Sequence, residues 1–177
     1  LPIMQHVADA ETDATFHFEI KADLLTENVL NFLKTVPQGR FQFEIGVQTT
    51  NAATLKAINR RDNWEKLTAN VKRLLSYGNI HLHLDLIAGL PYEGMAEFEK
   101  SFNDVYGLQP DRLQLGFLKV LPGTVMEKQR LEHELQYMDE PPYEILSTKY
   151  MPYCALRFLK VLEDVFEHTY NSGRFVY

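Results

Sequence analysis

Two stretches, FQFEIGVQTTNAATLKAINR at 41–60 and HLHLDLIAGLP at 81–91, each carry an apolar run into a polar, glycine-bearing turn. Strands of this kind, separated by helical segments, leave a chain few options. Strand, helix and strand in succession build a parallel sheet covered by helices. Such a sheet delivers polar side chains to its carboxyl edge, where open α/β sheets and β/α barrels place their sites. Gln48, Arg60 and Asp85 are the groups delivered here.

The same alternation runs through the first two thirds of the chain. An extended segment at 14–20 precedes Thr26, which is placed to cap a helix with Val29, Phe32, Leu33 and Val36 on one face. Pro37, Gln38 and Gly39 end that helix. A strand at 41–45 is followed by a short helix near 52–58 and a longer one at 64–77, whose Trp64, Leu67, Val71, Leu74 and Leu75 recur at helical spacing. Gly78 suits its end. A strand at 80–87 leads through Pro91 to a helix with Met95, Phe98, Phe102 and Val105 inward, and a strand at 112–118 ends at the Pro122-Gly123 turn. From Val125 the alternation stops. A polar helix at 126–135, the Pro141-Pro142 pair and a helix at 152–170 with an apolar stripe of Leu156, Leu159, Leu162, Val165 and Phe166 complete the chain. The division expected is therefore 1–124 and 125–177.

Gly46-Val47-Gln48, the pair Asn59-Arg60 and the run Asp85 to Pro91 stand in order with FHFEI at 16–20, which carries Glu19, and with LQLGFLKVLPGT at 113–124. In that order and spacing they resemble the radical SAM enzymes, in particular the branch that holds oxygen-independent coproporphyrinogen oxidase and the cobalamin-dependent members. The resemblance implies an α/β fold: an incomplete TIM-type (β/α) barrel of about four parallel strands, strands three to six, with a helical C-terminal extension. It also implies that Glu19, Gln48, Arg60 and Asp85 bind S-adenosyl-L-methionine, that Gly89 lets backbone approach the adenine, and that the edge at 117–119, with Lys119, borders it. The residue types suit the task. The fork of Arg60 matches a carboxylate, Gln48 can donate and accept, and an Asp85 anion suits a ribose hydroxyl or the ammonium. Gln48, Arg60 and Asp85 are expected to converge.

The family's CxxxCxxC loop, whose three thiolates hold a 4Fe-4S cluster, has no counterpart, because the chain has one cysteine, Cys154. The expectation is that these residues form the C-terminal part of a longer enzyme, inactive in radical chemistry alone, with the ligands of the 4Fe-4S cluster and of cobalamin outside this chain. No catalytic residue and no metal ligand is assigned. PPYEILSTKYMPY and YNSGRF resemble the C-terminal extension of radical SAM proteins that carry an N-terminal cobalamin-binding domain. The parent is thus expected to be an Fe-S oxidoreductase or methyltransferase-like enzyme, of the kind named anaerobic Mg-protoporphyrin IX monomethyl ester oxidative cyclase. The alternatives are a non-catalytic binding or assembly module, and a non-radical barrel lyase using Lys119.

Plainer roles compete for the same residues. Asp85 and Arg60 can brace strand to helix, and Gln48 and Asn51 can cap the next helix. His81 and His83, on the strand face of Asp85 by period two, read as polar filling of the barrel bottom rather than as metal ligands. Cys154 reads as a small buried side chain, and Glu132, His133 and Glu134 as a solvated helix face.

A formal charge of -6 without a basic stripe argues against nucleic acid as the main partner. No apolar run approaches the roughly 20 residues of a membrane helix and no signal peptide is visible. A lone cysteine fits a reducing cytoplasm. The partners expected are a small-molecule substrate, the N-terminal remainder of the same protein, and a second copy of the chain, met through the strand edge at 14–20 or through the exposed inner face.

Overall fold

In the computed structural model, which describes residues 1–174, the alternation is realised as α1 (Pro2–Ala8), β1 (Phe16–Ile20), a 3-10 turn (Ala22–Leu24), α2 (Glu27–Leu33), β2 (Phe41–Gln48), α3 (Ala52–Ala57), α4 (Trp64–Tyr77), β3 (Ile80–Ala88), α5 (Met95–Tyr106) and β4 (Arg112–Phe117). These four strands form one parallel sheet in the order β1-β2-β3-β4. The rest of the chain adds α6 (Val125–Lys128), an antiparallel pair β5 (Gln136–Tyr137) and β6 (Ile145–Ser147), and α7 (Tyr153–His168). Phe175 of the YNSGRF motif lies outside the described residues.

The chain divides into two compact units. The first comprises Leu1–Val47, Asp62–Asp85 and Val105–Leu113. In it β1 runs in register with β2 from the Phe16–Phe41 pair to the Ile20–Ile45 pair. Period two sorts the side chains onto two faces. Phe41, Phe43 and Ile45 are fully buried, as are Leu82 and Leu84 of β3, Leu33 of α2, and Val71 and Leu74 of α4. Phe18 stands edge-on to Phe41 and Phe43, with ring centroids 5.2 and 6.1 Å away. Each fully buried Phe, Leu or Ile contributes about 1.5–3 kcal/mol relative to exposure. The opposite face carries His17, Glu19, Gln42, Glu44, His83 and Asp85. Asn63 caps α4 by accepting from Lys66 N at 2.9 Å, and Gly78 ends it in the left-handed conformation, φ 69°. The hydroxyl of Thr26 makes no capping bond to α2. At the other end of that helix, Asn79 Nδ2 donates to Leu33 O and Val36 O at 2.9 and 2.7 Å, satisfying carbonyls that the helix leaves open.

The second unit comprises Gln48–Arg61, Leu86–Asp104 and Gln114–Tyr177. Its core is made of Leu86, Ala88, Phe98, Leu115, Ile145, Met151, Leu156 and Leu159. The extension is less helical than its composition suggests. Thr124 caps α6 by accepting from Glu127 N, but the helix stops after four residues. Leu131 beyond it is 83% exposed, so no apolar face is buried to carry the helix onward. The chain returns as an added strand: Val120 N donates to Tyr143 O, and Ile145 N to Leu118 O, both at 2.9 Å, around an antiparallel bridge between Lys119 and Glu144. Lys160 of α7 meets Glu144 at 2.5 Å and lies 4.2 Å from the centre of the Phe117 ring. The expected α7 stripe splits. Leu156 and Leu159 are buried and Phe166 meets Phe102, whereas Val165 is exposed beside Phe158 and Val161. Two plain readings are corrected here. Cys154 is exposed at the first turn of α7, and His133, expected in solvent, is buried with its Nδ1 3.2 Å from the Tyr150 hydroxyl.

Candidate functional site

In the first unit the polar face of the sheet forms a continuous network. Gln42 Nε2 lies 3.1 Å from His17 Nδ1 and 3.4 Å from His83 Nδ1. With the carboxamide donating, both rings are protonated at Nε2, and His17 then donates from Nε2 to Glu44 Oε2 at 3.1 Å. Burial, with the charges of His81 and Arg112, pulls the His83 imidazole down to about 4, so it is neutral at physiological pH. Glu19 and Glu44 are register partners on neighbouring strands. Asp85 feels both. Burial first, then the charge and hydrogen bond of Glu44 and the charge of Glu19, push its carboxyl up to about 7 against the pull of Arg112. Asp85 Oδ1 is buried without a hydrogen-bond partner.

In the second unit the end of β2 turns sharply. Gln48 has φ 68°, a left-handed conformation uncommon for any residue with a side chain. Its Oε1 is buried without a hydrogen-bond partner. The residues that follow are anchored. Thr49 donates its hydroxyl to Glu93 Oε1, Asn51 N donates to Thr49 Oγ1 at 2.9 Å, and Ala53 N donates to Asn51 Oδ1 at 3.0 Å, making Asn51 the cap of α3. Ser101 Oγ of α5 accepts from Thr50 N at 3.0 Å and donates to Glu93 Oε1 at 3.3 Å. Glu93 is fully buried, and burial pushes its carboxyl up to about 7, with the charge of Glu97 adding and the Thr49 and Ser101 hydroxyls opposing.

Of the residues expected to bind S-adenosylmethionine, Glu19 and Asp85 lie on the polar face of the first unit, close enough for one charge to shift the other. Gln48, Arg60, Gly89 and Lys119 belong to the second. Arg60 follows α3, its backbone N donating to Leu55 O at 2.8 Å. Gly89 has φ 87°, and a Cβ there would lie 2.8 Å from Ile145 Cγ2, so the group that approaches this glycine is a side chain of the C-terminal segment. The edge beside Lys119 is also taken: Leu118 donates from N to Ala88 O and accepts at O from Ile145 N. Sequence reasoning missed Glu44 and Glu93. Counting back by two from Gln48 through Gly46 finds Glu44 on the same face; a carboxylate one residue beyond Leu90-Pro91-Tyr92 gives no sign that it is buried.

Comparison with known proteins fits this architecture. The profile of the radical SAM superfamily matches residues 3–105, and a second, described as a protein of unknown function (DUF4080), matches residues 131–177. The heme chaperone HemW of Bacillus subtilis is 30% identical over 138 residues, 76% of this chain and 36% of that protein. The oxygen-independent coproporphyrinogen III oxidase of Pseudomonas aeruginosa is 36% identical over 89 residues, 49% of this chain and 19% of that protein. Among solved structures, coproporphyrinogen III oxidase (HemN) of Escherichia coli aligns with TM-score 0.62 and 24% identity over 88% of this chain and 32% of its own. The radical S-adenosylmethionine methyltransferase TsrM of Kitasatospora setae, solved with cobalamin and a 4Fe-4S cluster bound, aligns with TM-score 0.67 and 13% identity over 96% of this chain and 41% of its own. The α/β half-barrel is thus of the radical SAM type, and the chain belongs to the radical SAM superfamily. It spans about a third of the length of HemW and of a second curated relative from Bacillus subtilis, the oxygen-independent coproporphyrinogen-III oxidase-like protein HemZ.

The residues present fit S-adenosylmethionine better than they fit a cluster. Gln48 Oε1 and Asp85 Oδ1 are buried acceptors with no protein donor, the condition in which a ligand hydroxyl or ammonium is welcome. A 4Fe-4S cluster does not fit: the one cysteine is exposed on α7, and among the described residues no group of three His, Cys, Asp or Glu could hold a metal.

Proposed function

We propose that this chain forms the S-adenosylmethionine-binding strands of a radical SAM oxidoreductase or methyltransferase-like enzyme, with the ligands of the 4Fe-4S cluster, and of cobalamin, on residues outside these 177. The observation that carries the reading is the buried, unpartnered Oε1 of Gln48 at the end of β2, the strand bearing the Gly46-Val47-Gln48 motif. When bound, S-adenosylmethionine and a reduced cluster supply one-electron cleavage of the sulfonium to methionine and a 5'-deoxyadenosyl radical, or, with cobalamin, methyl transfer. The chain's own part is to hold the nucleoside and amino-acid groups in place. Gln48 accepts from a ligand hydroxyl, Asp85 and Glu19 from a hydroxyl or the ammonium, and Arg60 offers two parallel donors to the carboxylate. A small-molecule substrate is acted on at the same strand ends; tetrapyrrole chemistry, as in an Mg-protoporphyrin monomethyl ester cyclase, is the substrate reading supported by the coproporphyrinogen oxidase relatives.

The test is the full-length protein, reconstituted anaerobically with iron and sulfide, reduced, and supplied with S-adenosylmethionine. It should yield 5'-deoxyadenosine or S-adenosylhomocysteine, and the 177-residue chain treated alike should yield neither and carry no cluster absorbance. A stoichiometric cluster on the 177-residue chain would overturn the placement of the ligands. Full-length protein that binds a cluster yet releases neither product would favour a non-catalytic binding module.

A further inference from the structure

We propose that the buried Glu93 carboxyl group is a positioning residue for S-adenosylmethionine binding, clamping the turn that presents Gln48 through its hydrogen bonds with Thr49 and Ser101. The inference rests on the reading of Gln48 given under the proposed function. Gln48 sits in a left-handed conformation at φ 68°, which a residue with a Cβ keeps only where its surroundings hold it there. The holding group is visible. Glu93 Oε1 receives two hydroxyl donors, Thr49 from the residue next to Gln48 and Ser101 from α5. Each donor has a second duty. Thr49 Oγ1 accepts from Asn51 N at 2.9 Å, and Ser101 Oγ accepts from Thr50 N at 3.0 Å. The backbone amides of both residues after Thr49 are therefore fixed through hydroxyls that end on one carboxyl group. Asn51 closes the loop by donating from Nδ2 to Tyr92 O at 2.9 Å, next to Glu93 itself.

A carboxyl group is a costly choice for this place. Thr49, Glu93 and Ser101 are all buried, at 2, 0 and 1% exposure, and an apolar side chain would spare the desolvation. The group earns retention by geometry: removing it leaves two buried hydroxyls and the turn they order without an anchor. Burial also favours the protonated form near neutral pH, so a neutral carboxamide of the same shape should serve.

The experiment uses full-length protein carrying Glu93→Ala, Glu93→Gln or Thr49→Val, with Gln48→Ala for reference. Amide hydrogen exchange across 49–51 without ligand reads the order of the turn, and equilibrium dialysis reads affinity for S-adenosylmethionine. Glu93→Ala and Thr49→Val should quicken exchange at 49–51 and weaken binding about ten-fold, the scale of one lost buried hydrogen bond, while Glu93→Gln keeps both within about two-fold. Quickened exchange with unchanged affinity in Thr49→Val would overturn the positioning role, and so would unchanged exchange. Should Glu93→Ala fail to fold, Thr49→Val and Glu93→Gln decide. Failure of the underlying reading shows separately, as Gln48→Ala binding like wild type, and it would remove the clamp's purpose as well.

Discussion

Two carboxyl groups, Asp85 and Glu93, are held up to about 7, each chiefly by burial. For Asp85 the consequence is chemical. Near neutral pH it is shared between an acceptor and a donor, so it can meet a ligand hydroxyl from either side, with Glu44 as its charged neighbour. For Glu93 the consequence is a pH dependence of stability. Its folded value lies above the ordinary 4.5, so between about 4.5 and 7 the native state binds more protons than the unfolded chain, and stability falls as pH rises through that window. Below it the contribution is fully present; above about 7 the slope vanishes. Urea midpoints measured from pH 4.5 to 8 should decline for wild type and decline less for Glu93→Gln, which has no proton to lose. Parallel curves for the two proteins would show that Glu93 titrates normally. Neither effect was legible in the sequence, because a pKa shift depends on what surrounds the side chain and both residues are surrounded by segments distant in the chain.

The long elements were legible and the short ones were not. The strands at 41–48 and 80–88 declare themselves by alternation and α4 by its 3.6-residue stripe, since each buries a whole face. β5 and β6 span two and three residues, too few for any period to show, and they follow the segment 126–135, where the expected helix stops after Lys128. The first residue of β6, Ile145, determines how Gly89 is used. With φ 87° and Ile145 Cγ2 2.8 Å from where a Cβ would sit, Gly89→Ala meets both a backbone and a packing penalty and should cost about 1–3 kcal/mol. Ile145→Ala removes the steric part but opens a cavity of its own, about 2–5 kcal/mol. The double variant should therefore be less destabilised than the sum of the two by a measurable margin in urea unfolding. Strict additivity would mean that the backbone conformation alone requires glycine.

On the scale of the whole molecule, what is left uncovered matters most. β1 ends the sheet order, with no strand on its outer side among the described residues. Phe158, Val161 and Val165 lie on α7 at 59, 60 and 51% exposure. An open strand edge and an apolar helix stripe both seek cover in water. The 177-residue chain is expected to self-associate at micromolar concentration, and Phe158→Ser with Val161→Ser should shift it toward the monomer if the stripe is the contact. Light scattering on a sizing column checks this, and a lone 20.6 kDa species in wild type would overturn it. The sequence suggested the open edge, because the family pattern begins here at its third strand. It did not suggest the stripe, because Leu156, Leu159 and Val165 share one helical spacing while only the first two find a neighbour to pack on.

The pairing of Leu118–Val120 with Tyr143–Ile145 bears on how such a protein can evolve. The two matched families end at residue 105 and start at 131, so Leu118–Val120 lies in the gap between them and pairs with Tyr143–Ile145 inside the second. A break between Val120 and the start of the second match would sever those hydrogen bonds and leave each product with a raw backbone edge. Exchange of the downstream segment as a cassette therefore carries a cost in backbone pairing, and substitutions on either side of the ladder act on one set of hydrogen bonds.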